Sequence, residues 1–162
     1  MDVRHGDERD LEQINDIYNH YVRETAITFD IEEITMDQRR EWLTHYASGG
    51  RHQLFVATDD VVLGYVTAGP LFPRRAYETS VATSIFCAPE AVGRGVGSAL
   101  YRRLFAALEG EDVHRAYAGI TVPNAASFAL HERFGFTQAG YYHEQGRKFD
   151  RYWDVAWFEK EL

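Results

Sequence analysis

Cysteine is almost absent from this chain: Cys87 is the single one among 162 residues. A lone thiol forms neither an internal disulfide nor a thiolate metal cluster, so nothing asks for an oxidising compartment and the chain reads as cytoplasmic. Long apolar runs are missing as well. No stretch approaches the roughly 20 residues that a membrane-spanning helix needs, and the segment Met1 to Asp10 is charged instead of following a basic start with an apolar run. Secretion and membrane spanning are therefore not expected. Basic charge is in short supply: 17 Lys and Arg stand against 25 Asp and Glu, a net charge of −8 with histidines neutral. A phosphate backbone would meet general repulsion, which argues against nucleic acid as the main partner. A small anionic ligand stays possible, because local backbone N–H groups or one Arg outweigh a distant field. Prolines number only 4, and no repeat, low-complexity tract or linker divides the chain.

What is present is enough to build one domain over residues 1–162, with 45% hydrophobic residues for a core. Leu11, Ile14, Ile17, Tyr18, Tyr21 and Val22 recur at steps of three and four and predict a first helix, capped by Asp7 or Asp10. Thr35 followed by Gln38 is a capping-box pair that predicts a second helix to about Tyr46, stopped by Ser48, Gly49 and Gly50. Leu54 to Thr58 and Val61 to Ala68, separated by Asp59 and Asp60, read as an antiparallel hairpin. Ser80 to Cys87 reads as a strand leading into a glycine-rich turn, Gly93 to Gly97. A third helix with Ala99, Leu100, Leu104, Phe105 and Leu108 inward follows, and then a strand from Tyr117 to Val122. Asn124 opens a fourth helix through Phe134, Gly135 ends it, and Phe136 to His143 and Tyr152 to Phe158 close the chain as strands. The fold class is α/β (α+β), a mixed sheet with helices.

The glycine turn carries the most chemical information. At a strand-to-helix junction, the N–H groups of Gly93, Arg94, Gly95, Val96, Gly97 and Ser98 can face one anion, and the helix N-terminus adds favourable partial charge, so a pyrophosphate is the natural guest. The plainer alternative is a tight turn. No Lys-Ser/Thr pair follows the glycines as in a P-loop, and this is not the first βα turn of a Rossmann array. His5, His20, His45, His52, His114 and His143 show no metal-ligand spacing, so no metal is expected. Cys87 lies in an apolar strand and reads as a buried, inert thiol. Trp153 and Trp157 alternate with Asp154 and Ala156, which suits a buried face or a subunit seam.

The window from Val92 to Gly97 is similar to the pyrophosphate loop of the GNAT superfamily of acetyl-CoA-dependent N-acetyltransferases. Val92 stands where that family has a polar residue, so Arg94 would assist. Asn124, Ser127 and the run Leu130 to Phe136 resemble a second element of the superfamily, with His131 where many relatives have tyrosine. Three blocks narrow the resemblance to the phosphinothricin and methionine-sulfone acetyltransferase family: Ile17 to Val22 with Thr28, Phe29 and Asp30; Gly64 and Tyr65 with Gly69, Pro70, Arg74, Ala76 and Tyr77; and Asn124 to Phe136 with Gly146 to Phe149, Asp154 and Val155.

The resemblance implies a GNAT fold, a mostly antiparallel sheet split at the cofactor site with helices on both faces. It also implies a homodimer that moves acetyl from acetyl-CoA, the cosubstrate, to the amine of a small amino-acid analogue by direct transfer. Ile85, Phe86 and Cys87 would pair with the pantetheine arm, and Asn124 and Ser127 would lie beside it. His131 would sit near the thioester, its neutral ring relaying a proton or its cation quenching the thiolate. Arg74 would grip an acidic group of the substrate, or is a solvated loop arginine; Phe29 and Tyr77 would wall the acceptor pocket, or fill core. Where the phosphinothricin branch places a glutamate base, this chain has Ala82. A water chain through Glu78, Glu144 or His131, an amine that enters neutral, or loss of activity are the alternatives. Acetylation of another amine, such as a polyamine or a peptide N-terminus, and acyl-CoA binding with little turnover complete the set.

Overall fold

Side-chain caps set where the first two helices begin. The computed structural model describes residues 1–162. In it, Asp7 accepts from the Arg9 N–H and opens a 3₁₀ turn, Glu8–Asp10, which leads directly into α1, Leu11–Glu24. Asp10 caps nothing in α1, because its carboxylate takes both terminal nitrogens of Arg4 at 2.8 and 2.7 Å. The reciprocal Thr35/Gln38 box opens α2, Met36–Leu43, as its sequence predicts. This helix stops before Tyr46: the N–H groups of Thr44, His45 and Tyr46 reach carbonyls three residues back, a tightening of the last turn.

The chain forms seven strands, β1 Asp2–His5, β2 Gln53–Thr58, β3 Val62–Pro70, β4 Ser80–Cys87, β5 Arg115–Thr121, β6 Thr137–Lys148 and β7 Arg151–Glu161, with helices α3 Val96–Leu108 and α4 Ala125–Arg133 between them. They form one sheet in the order β1-β2-β3-β4-β5-β7-β6, antiparallel except for β4 beside β5. The sequence pattern misses β1, a short charged edge strand whose Val3 is its one apolar residue. It also breaks β6 at His143, whereas the strand continues to Lys148 through a bulge.

Both faces of the central strands are covered, so β2 and β3 are buried almost continuously instead of alternately. Val96 of α3 sits over Gly64, and Arg103 of α3 lies 4.5 Å over the Phe55 ring. Opposite, Tyr65 meets Trp42 of α2 at 6.0 Å and Phe86 at 5.6 Å. Helix α4 joins α3's side, with Leu130 against Gly97 and His131 bonded to Tyr101. Helices α3 and α4 thus occupy one face of the sheet, and α1 and α2 the other.

The pairing of β4 with β5 is brief. It runs from Ser80 opposite Arg115 to Ala82 opposite Tyr117 and then ends, whereas β4 remains paired with β3 as far as Cys87 opposite Gly64. The next link across the gap is a side chain: Thr83 Oγ1 lies 3.3 Å from Tyr117 O. The split sheet is thereby present in the backbone itself.

Gly64 shows how tightly β3 is held at this point. A Cβ there would lie 2.8 Å from Phe86 O and 3.1 Å from Cys87 Cα, both backbone atoms that cannot swing aside. Gly64→Ala is expected to lower stability by about 1–3 kcal/mol through overpacking, read as a shifted denaturant midpoint at constant m-value.

Candidate functional site

A cleft of about 710 Å³ follows the parting of β4 and β5 through the sheet. On the α1/α2 face its wall is made by Tyr18, Arg39, Trp42, Tyr46 and Ala82; in the gap by Thr83 to Phe86 and Ala118 to Thr121; beyond it by Asn124, Ser127 and His131. The antiparallel ladder decides which backbone groups face the gap. Ala88 N–H donates to Leu63 O at 2.9 Å, so Phe86 and Ser84 turn their groups to β3 while Thr83, Ile85 and Cys87 turn theirs toward β5. With β5 diverged beyond the Ala82/Tyr117 pair, Ile85 presents its backbone N–H and C=O to the gap, groups that a buried peptide unit must satisfy by some partner. The Cys87 carbonyl is already taken by the Tyr21 hydroxyl at 2.7 Å, leaving its N–H. Its thiol turns to the α3 side near the Gly97 N–H; burial pushes it up to about 11, which removes it as a nucleophile.

Of the residues read as cofactor-binding, Ile85, Phe86, Asn124 and Ser127 line this cleft. Cys87 and the loop from Val92 to Ser98 lie past the end of β4, at the start of α3. Gly93 and Gly95 adopt positive φ of 82° and 81°, with nothing within 4 Å of where a Cβ would stand, so the loop is open in front. Gly97 is glycine for a different reason: a Cβ there would come within 2.9 Å of Leu130 Cδ2. Ahead of Ala99, which donates to Gly95 O, the Arg94 N–H is taken by Ala91 O at 3.2 Å, contrary to the expectation that it faces the anion, while the N–H groups of Gly93, Gly95, Val96 and Ser98 have no helical acceptor. Val92 points to solvent, and Arg94 pairs at 3.6 Å with Asp59. Arg133, which sequence reasoning did not select, brings another guanidinium to the loop by donating to Ser98 Oγ at 3.2 Å. An open turn of free donors flanked by Arg94 and Arg133, joined to a strand with unpaired backbone, fits a pyrophosphate followed by an amide-bearing arm.

Asn124 caps α4: its Oδ1 accepts from Ser127 N–H at 3.1 Å. His131 is 3% exposed, and both its ring nitrogens are engaged. Nδ1 lies 2.7 Å from Ser127 O, an acceptor only, so Nδ1 carries the proton and Nε2 accepts from the Tyr101 hydroxyl at 2.7 Å. Burial lowers the pKa, and the Ser127 carbonyl opposes that only in part. Burial disfavours the charged ring, and the arrangement suits a neutral imidazole better than a cation quenching the thiolate. Tyr101 also stands 3.2 Å from Thr83 Oγ1, so the chain Ser127, His131, Tyr101, Thr83 ties α4 and α3 to β4 at the split.

Phe29 lines the cleft with its ring against Gly146, where a Cβ would overlap it at 2.3 Å. Lys148, almost fully buried, donates to Thr28 O at 2.9 Å and fastens the same loop. Arg74 and Tyr77 are not on the wall. They lie in the turn between β3 and β4, where Arg74 precedes a short 3₁₀ turn and Tyr77 meets Phe72 edge-on at 5.1 Å at the surface. Glu78 and Glu144 are surface residues off the wall too: Glu78 is 3.5 Å from Arg75, and Glu144 sits at φ 52° in the β6 bulge, its N–H donated to Asp154 at 2.7 Å. That bulge sets His143, Glu144 and Gln145 opposite Asp154 alone and aims Gln145 into the cleft beside Trp157. Trp157 closes over Gly119 and lines the cleft, half-buried, while Trp153 is half-buried off the wall with its Nε1 donating to Lys148 O at 2.9 Å. Asp30, Arg39 and His131 are the only acidic, basic and imidazole side chains on the wall.

The Acetyltransferase (GNAT) domain family matches residues 3–157 of the chain. A phosphinothricin N-acetyltransferase of Streptomyces coelicolor is 55% identical, covering 100% of this chain and 96% of its own. An L-methionine sulfoximine/L-methionine sulfone acetyltransferase of Salmonella typhimurium is 31% identical over 100% of this chain and 95% of its own. Among solved structures, a ribosomal-protein-alanine N-acetyltransferase from Brucella melitensis superposes with TM-score 0.93 at 32% identity, covering 100% of both chains. A phosphinothricin acetyltransferase from Sinorhizobium meliloti in complex with AcCoA gives TM-score 0.93 at 28% identity, covering 99% of this chain and 88% of the other.

The buried histidine makes stability depend on pH in a defined sense. Its folded pKa is lowered, so its contribution is complete above the ordinary value of about 6.5 and is lost as pH falls from there through the folded pKa, because the unfolded chain binds the proton more readily. His5 and His52, also lowered chiefly by burial, act in the same direction. Denaturation followed from about pH 7.5 to about pH 5 should show falling stability, and His131→Phe should flatten that fall. The same variant leaves the Tyr101 hydroxyl without its acceptor, at a cost of about 1–3 kcal/mol near neutral pH.

Proposed function

From its membership of the GNAT acetyltransferase domain family, in which it is an acetyl-CoA-dependent N-acetyltransferase, we propose that this chain acetylates the amine of a small amino-acid analogue of the phosphinothricin, methionine sulfone or methionine sulfoximine type. The observation that carries the reading is the cleft through the split sheet. It has free backbone donors and acceptors on β4, an open donor loop at the start of α3 and a walled space on the α1/α2 face. The substrate class is supported by the relatives named for phosphinothricin and for methionine sulfoximine.

When bound, acetyl-CoA supplies an activated thioester. The residues of the chain do the rest. Ile85 aligns the amide-bearing arm along β4 and the loop from Gly93 to Ser98 holds the pyrophosphate, with Arg94 and Arg133 beside it. Asn124 offers its side-chain amide, since its oxygen is used in capping. Phe29, Trp42 and Trp157 exclude water from the acceptor. Ala82 offers no proton acceptor, neither Glu78 nor Glu144 reaches the wall, and the one wall carboxylate, Asp30, is taken by the Tyr18 hydroxyl, so the amine enters neutral. His131 serves as a neutral member of the polar chain beside the reacting space and passes no charge of its own. The homodimer has support in β6, an edge strand with Tyr141 and Tyr142 exposed near Phe149 and Tyr152. Residence in the cytoplasm is supported by the single reduced thiol.

A second reading, acyl-CoA binding with little turnover, is favoured by Ala82 alone. Release of free CoA thiol from acetyl-CoA separates the two when phosphinothricin, methionine sulfone and methionine sulfoximine are compared with polyamines and with an alanine-ended peptide. Turnover confined to the amino-acid analogues is expected; tight cofactor binding without turnover on any amine would sink the enzymatic reading, and turnover on the peptide alone would replace the substrate class. Ala82→Glu is expected to raise kcat/KM near neutral pH by about 10-fold or more and to shift the rise of the pH profile to lower pH, as a restored base would. Sedimentation is expected to give twice the 18.6 kDa chain mass.

A further inference from the structure

Arg39 is the one arginine or lysine on the cleft wall, and it has no counter-ion. It is 3% exposed, and no carboxylate lies within ion-pair distance of it. Its Nε donates to Asn15 Oδ1 at 3.0 Å, the single hydrogen bond its side chain makes. The guanidinium carbon lies 4.6 Å from the Trp42 ring centre and 4.9 Å from that of Tyr18, so both aromatic neighbours flank the fork. The terminal nitrogen Nη2 is sealed from solvent with no acceptor. A buried, fixed, unpaired charge is costly, and a protein keeps one where something else supplies the partner.

The surroundings fix the fork in place. Asn15 Nδ2 and Asn19 Nδ2 both donate to Ile34 O, at 2.8 and 3.0 Å, and Asn19 Oδ1 accepts the Ile34 N–H at 2.8 Å. These bonds anchor the chain entering α2, and with it the start of the helix that carries Arg39. The remaining polar groups of this part of the wall, Tyr18, Gln38, Tyr46 and Thr67, are uncharged, and Asp30 is occupied by the Tyr18 hydroxyl. Arg74, the other arginine weighed for an acidic group, is off the wall.

We propose that Arg39 binds the α-carboxylate of the acceptor through Nη1, the terminal nitrogen that is neither hydrogen-bonded nor sealed, with Nη2 held behind it. The proposal rests on the reading that the acceptor is an amino-acid analogue, and it names the residue that makes the cleft select one. Arg39 is a specificity residue here: the carboxylate it holds is remote from the amine that reacts, and its effect appears in the choice between an amino acid and the same amine without its carboxylate.

The test compares methionine sulfone with its decarboxylated counterpart, 3-(methylsulfonyl)propylamine, in wild type, Arg39→Gln and Arg39→Lys. Wild type is expected to prefer the amino acid by roughly 10²-fold in kcat/KM, and Arg39→Gln to bring that preference to within a few-fold while the KM for acetyl-CoA stays unchanged. Arg39→Lys keeps the charge without the fork and should fall between the two; it decides the matter if the Gln variant does not fold. Loss of rate on both amines alike, with the preference intact, overturns the proposal. Should wild type acetylate neither amine, the substrate reading fails, and Arg39 is judged by binding. N-acetyl-methionine sulfone is then expected to change tryptophan emission, a signal absent from its carboxamide and lost in Trp42→Phe. Equal responses to acid and amide overturn the proposal.

Discussion

The early end of the β4–β5 ladder is the constraint on which the rest of the structure depends. A parallel pair inside a sheet ordinarily continues, because each further residue satisfies buried peptide groups on both strands. Here pairing stops after Ala82 and Tyr117, while β3 keeps its hold on β4 to Cys87. One edge of β4 is thus presented to a ligand without loosening the strand. The cost of parting is offset by side chains that stand in for backbone: Thr83 toward Tyr117 O, Tyr101 between Thr83 and His131, and His131 onto Ser127. Removing a member of that chain leaves buried polar atoms unpaired, so His131, which lines the cleft, also helps to keep the split open.

The two faces of the split sheet then divide the work. The α3/α4 side supplies the open glycine turn, which offers main-chain donors and tolerates Val92 pointing to solvent, and the side-chain amide of the Asn124 cap. The α1/α2 side supplies side chains: Tyr18, Arg39, Trp42 and the Phe29 loop fastened by Lys148 and Gly146. A backbone site is insensitive to substitution so long as φ and packing survive, whereas a side-chain site changes its ligand when one residue changes. The cofactor end of the cleft is therefore defined more firmly by this chain than the acceptor end.

The sequence made local features legible and left long-range ones hidden. Ser80–Cys87, the Thr35/Gln38 box, the Asn124 cap and the glycine turn are each written in a few adjacent residues, and the structure has them where those residues stand. β1 escaped because four mostly charged edge residues carry no alternation. The positions of Arg74 and Tyr77 depend on which way the turn after Pro70 leaves the sheet, and no local pattern encodes that. Arg39 was hidden for another reason. It sits in Asp-Gln-Arg-Arg-Glu, which reads as the solvated face of a helix, and only the packing of Asn15, Tyr18 and Trp42 around it shows that one arginine of the pair is interior while Arg40 stays outside on Asp37.

Charge in the cleft ties these points together. Its wall holds one carboxylate, one guanidinium and one imidazole whose charged form is disfavoured by burial. Where a glutamate would attract an ammonium ion and take its proton, Ala82 does neither. The same substitution removes a negative charge from the face that carries Arg39, and so strengthens the field an incoming carboxylate meets. Under the proposed roles, the anionic end of an acceptor would supply the attraction and the amine would lose its proton before it reaches the wall. Binding and deprotonation, which one carboxylate would serve together, would then be divided between Arg39 and the solvent outside the cleft.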